Sequence, residues 1–394
     1  MVAALRALGV TIDQGDEGSA TWHVTPGPGL RPAAAIDCGL AGTVLRFVPP
    51  LAALAAGETR FTGDAAASAR PVAGLLDGLR QLGAGVTGRA LPFSVTGPAA
   101  GGGATIDASP SSQLVSGLLL AGARFPDGLD LRHDGGPIPS RPHIVMTLAA
   151  LAARGVTVET PAPTRQPASP PAPPGGTGEA TNDAEAVDRW VIAPGPIRAL
   201  DEVIEPDLTN AAVFLAAALV AGGSVTVAAW PARTTQPGGE VPDLLARFGG
   251  RWSVDAAGLT MTGDGHLRGG DFDLRQTSEL TPVVAALAAL AETPTTIRGV
   301  AHIRGHETDR LSALAHNVTA LGGRVTETAD GLVIHPARLH GGSWRTLGDH
   351  RLAHAAALIG LRLPGVILDD VTVVAKTMPD FADRWERLLE GDRA

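Results

Sequence analysis

Six times along this chain an apolar helical phrase is stopped by glycine: LRALG at Gly9, LRQLG at Gly83, LAARG at Gly155, LARFG at Gly249, VTALG at Gly322 and RLLEG at Gly391. The stops fall 74, 72, 94, 73 and 69 residues apart. A fixed period this long marks a repeated supersecondary unit, and it narrows the fold more than composition does. The one long interval holds TPAPTRQPASPPAPPGGTGEATNDAEA, a Pro/Ala/Gly run too poor in bulky apolar side chains to pack. With 160–187 set aside as a disordered insertion, the period returns to about seventy residues.

A second helix precedes each stop after the first. These helices read GTVLRFVPPLAALAAG from Gly42, SSQLVSGLLLAG from Ser111, TNAAVFLAAALVAGG from Thr209, SELTPVVAALAALA from Ser278 and DHRLAHAAALIG from Asp349. There are five where six stops call for six, because the chain begins at Met1. The first repeat is therefore expected to be incomplete, and the amino end of a longer protein to be missing.

Short strand signals (AAIDCG, ATIDAS, DFDL) lead into the first helix of a unit, and β-branched ones (SVTVAA, TTIRGV, GVILDD) follow it. The second helix and a hairpin such as GRVTETADGLVIHP, turning at Asp330 and Gly331, complete a βαβαββ unit. Parallel strands joined by helices make this an α/β fold. Three units per domain is the natural grouping, with a boundary within 196–204. Residues 1–200 would hold repeats one (partial) to three, and 201–394 repeats four to six.

Composition decides which partners are plausible. At 394 residues, with 44% hydrophobic and 18% charged side chains, the chain is globular, and a net charge of −9 argues against nucleic acid as a general partner. Apolar runs such as AAVFLAAALVAGG are too short to span a bilayer, so neither nucleic acid nor membrane is expected as a partner. Cys38 is the only cysteine, which rules out an intrachain disulfide and points to a reducing, cytoplasmic setting. Among 31 basic residues Lys376 is the only lysine.

Polar chemistry gathers where the first helices begin. Thr43 and Arg46, Ser111 with Ser112 and Gln113, Thr209 and Asn210, Ser278 and Glu279, and Asp349, His350 and Arg351 all occupy that position. Unpaired N–H groups and the positive end of the helix dipole make such termini anion sites. Capping is the competing reading, since Ser, Thr, Asn and Asp are the preferred caps. Five equivalent termini with arginines among them favour a shared anionic ligand, which guanidinium groups grip in bidentate fashion.

The segments DCGLAGTVLR (37–46), ARPVAGLLDGLRQLGA (69–84), DASPSSQ (107–113), PSRPH (139–143), TSELTP (277–282), GHETDRL (305–311), GDHRLAH (348–354) and AKTMPDF (375–381) resemble, in order along the chain, the 3-phosphoshikimate 1-carboxyvinyltransferase (EPSP synthase) family, in the wording of its actinobacterial branch. The resemblance implies a two-domain enolpyruvyl transferase-like fold of six βαβαββ repeats that closes over its substrates. It implies a monomeric cytoplasmic transferase of the shikimate pathway, and a glyphosate target. The reaction would move the enolpyruvyl group of phosphoenolpyruvate to the 5-hydroxyl of shikimate 3-phosphate by addition and elimination, with no metal and no organic cofactor.

The same resemblance assigns residues. Ser111, Ser112, Gln113 and Ser140 would hold shikimate 3-phosphate, joined by Glu279 and His306, the latter standing where many relatives carry Lys. Gly42, Arg70, Gln113, Arg310, Arg351 and Lys376 would clamp phosphoenolpyruvate. Glu279, Glu307 and Lys376 would be catalytic, Glu279 facing the attacking hydroxyl and Glu307 helping to protonate the methylene carbon. Plainer roles compete: Thr308 and Asp349 as helix caps, Asp207 as a cap or a cleft residue, Lys376 as a solvated lysine, His143 and His354 as packing residues, and Cys38 as a small buried side chain. Two rival functions stand beside the first. One is enolpyruvyl transfer to UDP-N-acetylglucosamine, whose hallmark is a mobile-loop cysteine. The other is an inactive or weakened ligand-binding relative, because of the expected missing amino end.

Overall fold

The computed structural model describes residues 1–15, 20–160 and 188–391, so the insertion assigned to 160–187 lies outside the described residues except for Thr160. The chain divides into two compact units. Unit 1 comprises Met1–Ile138 and Ile144–Leu200, and unit 2 comprises Pro139–His143 and Asp201–Ala394. Ser140 therefore belongs with unit 2, although the sequence on either side of its short segment belongs to unit 1.

All six glycine stops adopt positive φ, from 71° at Gly391 to 111° at Gly249. A side chain there would crowd the backbone, so glycine ends each helix and turns the chain. The first helices run Gly42–Ala52, Gln113–Gly122, Leu208–Ala221, Thr281–Ala289 and His350–Gly360. Four of them join a pair of parallel, hydrogen-bonded strands: Ala35–Asp37 with Gly57–Thr62, Gly102–Ile106 with Leu129–His133, Asp271–Asp273 with Thr295–Arg298, and Gly342–Trp344 with Val366–Leu368.

Three four-stranded sheets share one strand order, first–second–fourth–third in chain sequence. In unit 2 the hairpin Arg324–Glu327 with Leu332–His335 completes one of them, antiparallel, with Glu327 opposite Leu332 and the expected Asp330 and Gly331 in the second half of the four-residue turn 328–331. The expected opening strand is absent from one run: among the described residues nothing pairs ahead of Leu208–Ala221. That stretch carries Pro194, Pro196 and Pro206, each lacking the N–H a ladder needs.

Packing explains which helix faces which. In unit 1 a Cβ on Gly117 would stand 2.3 Å from the Arg46 carbonyl oxygen, so glycine is what lets Gln113–Gly122 cross Gly42–Ala52 so closely. That crossing brings Arg46 beside Gln113. In unit 2, every residue of Thr281–Ala289 is buried, and it packs beside His350–Gly360 and Leu208–Ala221. Alanine-rich helices that are apolar all round belong in a core of this kind. No helix among the described residues is long and apolar enough to cross a membrane.

Candidate active site

Five helix starts divide by how they are capped. Asp207 accepts from the Asn210 backbone and side-chain nitrogens, and Asp349 accepts from the Arg351 backbone, so both are caps. In the helices beginning at Gly42, Gln113 and Thr281 the cap residue itself makes no side-chain bond; Ser111 Oγ reaches the Gln113 N–H instead, and the Thr281 N–H donates to the Ser278 carbonyl. Ser278 and Glu279 lie one turn earlier than expected, in a 3-10 turn, Ser278–Leu280, that feeds the last of these helices. The GHETDRL segment is capped by Asp309, which accepts from the Ser312 backbone, and not by Thr308. Two adjacent residues with equal capping chemistry are not separable from sequence alone.

Unit 1 carries two linked groups of predicted residues. The Arg70 guanidinium lies against Gly42, where a Cβ would come within 2.8 Å of its Cζ and Nη1, and Nη1 donates to the Leu40 carbonyl at 3.0 Å. Arg46, buried at 4% exposure, donates from Nε to the Pro71 carbonyl (3.1 Å) and from Nη1 to Gln113 Oε1 (2.8 Å). One buried guanidinium thus ties the segment bearing Arg70 to the start of the helix bearing Gln113. Ser111 Oγ accepts from the Gln113 backbone N–H at 3.3 Å, and Ser112 is buried beside it.

Unit 2 gathers the charged candidates around Arg310, whose side chain is 1% exposed. Its Nε donates to Asp349 Oδ2 (2.7 Å), Nη1 to Glu279 Oε2 (2.6 Å) and Nη2 to Glu307 Oε2 (2.9 Å). Arg351 Nε stands 2.9 Å from the same Glu279 oxygen, as an ion pair and not an aligned hydrogen bond. The Lys376 ammonium closes on Glu307. Lys376 is thus a member of the network, with 28% of its side chain exposed. His306 Nδ1 lies 3.0 Å from Arg310 Nη1, accepting from it and so carrying its own proton on Nε2. Ser140 joins through Ser278, Oγ to Oγ at 3.1 Å.

Electrostatics follow from this geometry. Burial pushes the Glu279 carboxyl up, but Arg310 and Arg351 outweigh it and hold the group well below the usual carboxylate range. Burial works against the Arg310 charge too, and Glu279, Asp349 and Glu307 more than restore it. His306 is pushed down to about 4, chiefly by burial, so it is neutral near pH 7 and not a stand-in for a lysine charge. His350 and His354 are likewise pushed down by burial, to about 4 and about 3, and His354 packs against Phe381 with ring centroids 4.6 Å apart. Cys38 is 3% exposed, with its thiol pushed up to about 11 by burial. A small hollow in unit 2 is lined by His143, Thr209, Gln276, Ser278 and Glu279 among others.

Sequence reasoning passed over three contributors. Asp349 was read as a cap or a member of a helix start, yet it also anchors Arg310 from 39 positions away. His302, hydrogen-bonded to Ser278 at 2.8 Å, carried no motif that pointed to it. Arg46 was noted only for its place near a helix start, and its hydrogen bonds to Pro71 and Gln113 reach across the unit.

An α/β protein with repeated parallel crossovers, and with cationic side chains gathered on paired carboxylates, belongs to a class that handles anionic metabolites. The family model for EPSP synthase (3-phosphoshikimate 1-carboxyvinyltransferase) matches residues 1–174 and 178–385. The 3-phosphoshikimate 1-carboxyvinyltransferase of Mycobacterium ulcerans (strain Agy99) is 47% identical over 396 residues, covering 99% of this chain and 85% of that protein. Its counterpart from Kocuria rhizophila is 48% identical over 404 residues with the same coverage. Among solved structures, EPSP synthase from Acinetobacter baumannii superposes with a TM-score of 0.73 at 25% identity, over 98% of this chain and 86% of that one. The enolpyruvyl transferase NikO from Streptomyces tendae shares the fold, with a TM-score of 0.64 at 20% identity over 98% of this chain and 86% of that one. The chain is a member of the EPSP synthase family, close to actinobacterial homologues, and has its enolpyruvyltransferase-type α/β fold.

Proposed function

We propose that this protein transfers the enolpyruvyl group of phosphoenolpyruvate to the 5-hydroxyl of shikimate 3-phosphate and releases inorganic phosphate. The observation that carries the reading is identity of 47% across 99% of the chain to a protein of that name. The chemistry needs what the two units hold. A proton is added to the methylene carbon of phosphoenolpyruvate, the hydroxyl oxygen bonds to its second carbon, and a tetrahedral intermediate forms. Loss of a proton from the new methyl group and of phosphate from the second carbon then restores the enol ether.

In this reading Glu279 receives the hydroxyl proton, and Glu307 with Lys376 handles the proton at the methylene carbon; such groups each contribute about 10²–10⁴-fold. Arg310, Arg351 and Lys376 in unit 2, and Gly42, Arg70 and Gln113 in unit 1, bind phosphoenolpyruvate. Ser111, Ser112, Gln113 and Ser140 bind shikimate 3-phosphate, with Glu279 and His306 on its ring side. The start of the Gln113–Gly122 helix, with Ser111 and Ser112 at its head, supports anion binding, because hydroxyls and a helix dipole favour negative charge. Six related units in two domains, 1–200 and 201–394, fit the six glycine stops and the shared strand order. Cytoplasmic action as a monomer completes the reading, and a single buried cysteine suits a reducing compartment.

Phosphate release tests the reading directly. Protein supplied with phosphoenolpyruvate should release phosphate when shikimate 3-phosphate is added, and not when UDP-N-acetylglucosamine replaces it. Release with the nucleotide sugar, or with neither acceptor, would overturn the assignment. Cys38 already weighs against the nucleotide sugar, since a buried thiol raised to about 11 is no exposed acid.

A further inference from the structure

Three side chains in unit 2 form a line of hydrogen bonds that the reaction scheme leaves unused. His302 Nε2 lies 2.8 Å from Ser278 Oγ, and Ser278 Oγ lies 3.1 Å from Ser140 Oγ. Ser278 is 1% exposed and Ser140 8% exposed, so water has little access to the line. Ser140 is held in place besides: its φ is 49°, in the left-handed region that serine seldom adopts, and its backbone N–H donates to the Arg275 carbonyl at 3.2 Å.

A hydroxyl carries one proton, so a line in which Ser278 spends its proton on one of its two neighbours has only two polarities. With a proton on His302 Nε2, the imidazole donates to Ser278, Ser278 donates to Ser140, and the Ser140 proton is left for a ligand. With that nitrogen bare, every bond reverses, the Ser140 proton points back towards Ser278, and lone pairs face outward. Only the first polarity suits a phosphate oxygen.

We propose that His302 is a positioning residue: with its proton on Nε2 it polarises the Ser278–Ser140 line outward and makes Ser140 a donor to the phosphate of shikimate 3-phosphate. This rests on the assignment of Ser140 to that phosphate. The groups facing His302 leave the imidazole neutral, so the choice is between tautomers and not between charges. Burial lowers its proton affinity, Glu279 raises it and Arg310 lowers it, while the neutral His306 ring stands edge-on at 5.8 Å.

Two measurements on the full chain separate this assignment from the functional reading. Long-range proton–nitrogen spectra of protein with labelled histidine report the tautomer, with or without substrate. The Nε2–H form is expected at neutral pH, and the Nδ1–H form would overturn the proposal even if the protein never bound shikimate 3-phosphate. The second is calorimetric binding of shikimate 3-phosphate beside shikimate, which lacks the phosphate. His302→Leu and Ser140→Ala should each weaken shikimate 3-phosphate by about tenfold, the scale of one hydrogen bond to a charged group. The double variant should bind no worse than Ser140→Ala alone, and shikimate should bind equally to all. His302→Gln, which offers an amide donor, should keep affinity within about threefold. Additive losses, or equal losses for shikimate, would overturn the proposal. Should His302→Leu fail to fold, Ser278→Ala breaks the same line and carries the same expectations.

Discussion

Arg310 offers the sharpest test of the unit 2 cluster. Replacing it with leucine removes the donor to Asp349 Oδ2, and Asp349 is a side chain with 0% exposure. Among the described residues, the Arg351 backbone N–H, 2.9 Å from the other oxygen, would remain to the carboxylate, with His350 Nδ1 3.7 Å from that oxygen. Glu307, 11% exposed, would keep Lys376, and Glu279 would keep Arg351. Stranding one buried charge in this way costs about 3–5 kcal/mol. Most of that cost belongs to the abandoned carboxylate. Arg310→Leu combined with Asp349→Asn should therefore recover at least about 2 kcal/mol of it, since asparagine still caps a helix and carries no charge.

Hydrogen exchange of the helices Arg310–Ala320 and His350–Gly360 reads this loss within unit 2, without assuming that the whole chain unfolds in one step. A pH series adds a signed check. The folded Glu279 carboxyl is held well below its ordinary value, so its share of stability is present above about pH 4.3 and disappears as pH falls through the depressed value. The gap between parent and Arg310→Leu should accordingly narrow in acid. A single variant that loses under about 1 kcal/mol, or a double variant no better than the single, would refute the argument that Asp349 depends on Arg310.

Two further outcomes concern catalysis. Gly42→Ala places a methyl 2.8 Å from the Arg70 guanidinium, which must move away; steady-state kinetics should show KM for phosphoenolpyruvate rising on the order of tenfold while that for shikimate 3-phosphate changes little. An unchanged KM for phosphoenolpyruvate would remove Arg70 from the clamp. Lys376→Arg keeps the charge but replaces a compact ammonium with a wider fork beside Glu307, and kcat/KM should fall by about tenfold or more; an unaffected variant would take Lys376 out of the site.

Local grammar was legible in the sequence, and long-range partnership was not. The glycine stops and the helices at Gly42, Ser111, Thr209, Ser278 and Asp349 could be read because each depends on residues within a turn or two. The choice between Thr308 and Asp309 as cap was not legible, because both offer an oxygen at adjacent positions. Gly117 carries no local signal of its role, which is set only where Gln113–Gly122 crosses Gly42–Ala52 at the Arg46 carbonyl. Ser140 sits in sequence among unit 1 residues yet hydrogen-bonds to Ser278, 138 positions onward. The motifs named the charged residues, but which carboxylate meets which guanidinium is fixed by tertiary packing that no short pattern encodes.

Charge balance shows why those pairings matter to the proposed chemistry. In the Arg310 network, three cations (Arg310, Arg351 and Lys376) face three carboxylates (Glu279, Glu307 and Asp349), with His306 neutral between them. An anionic substrate entering such a network has to compete with carboxylates already in place. Asp349 has no exposure and also caps a helix, so it stays with Arg310. Glu279 and Glu307 retain 32% and 11% exposure and can turn away. They are also the two carboxylates to which the proposed mechanism gives proton transfer. If, as proposed, the phosphate or carboxylate of phosphoenolpyruvate takes Arg310 or Arg351, Glu279 loses a cation that kept its proton affinity low, and its affinity rises. In the proposed mechanism, filling the cationic clamp and arming Glu279 are therefore one event, and substrate binding itself would raise the proton affinity that Arg310 and Arg351 hold down.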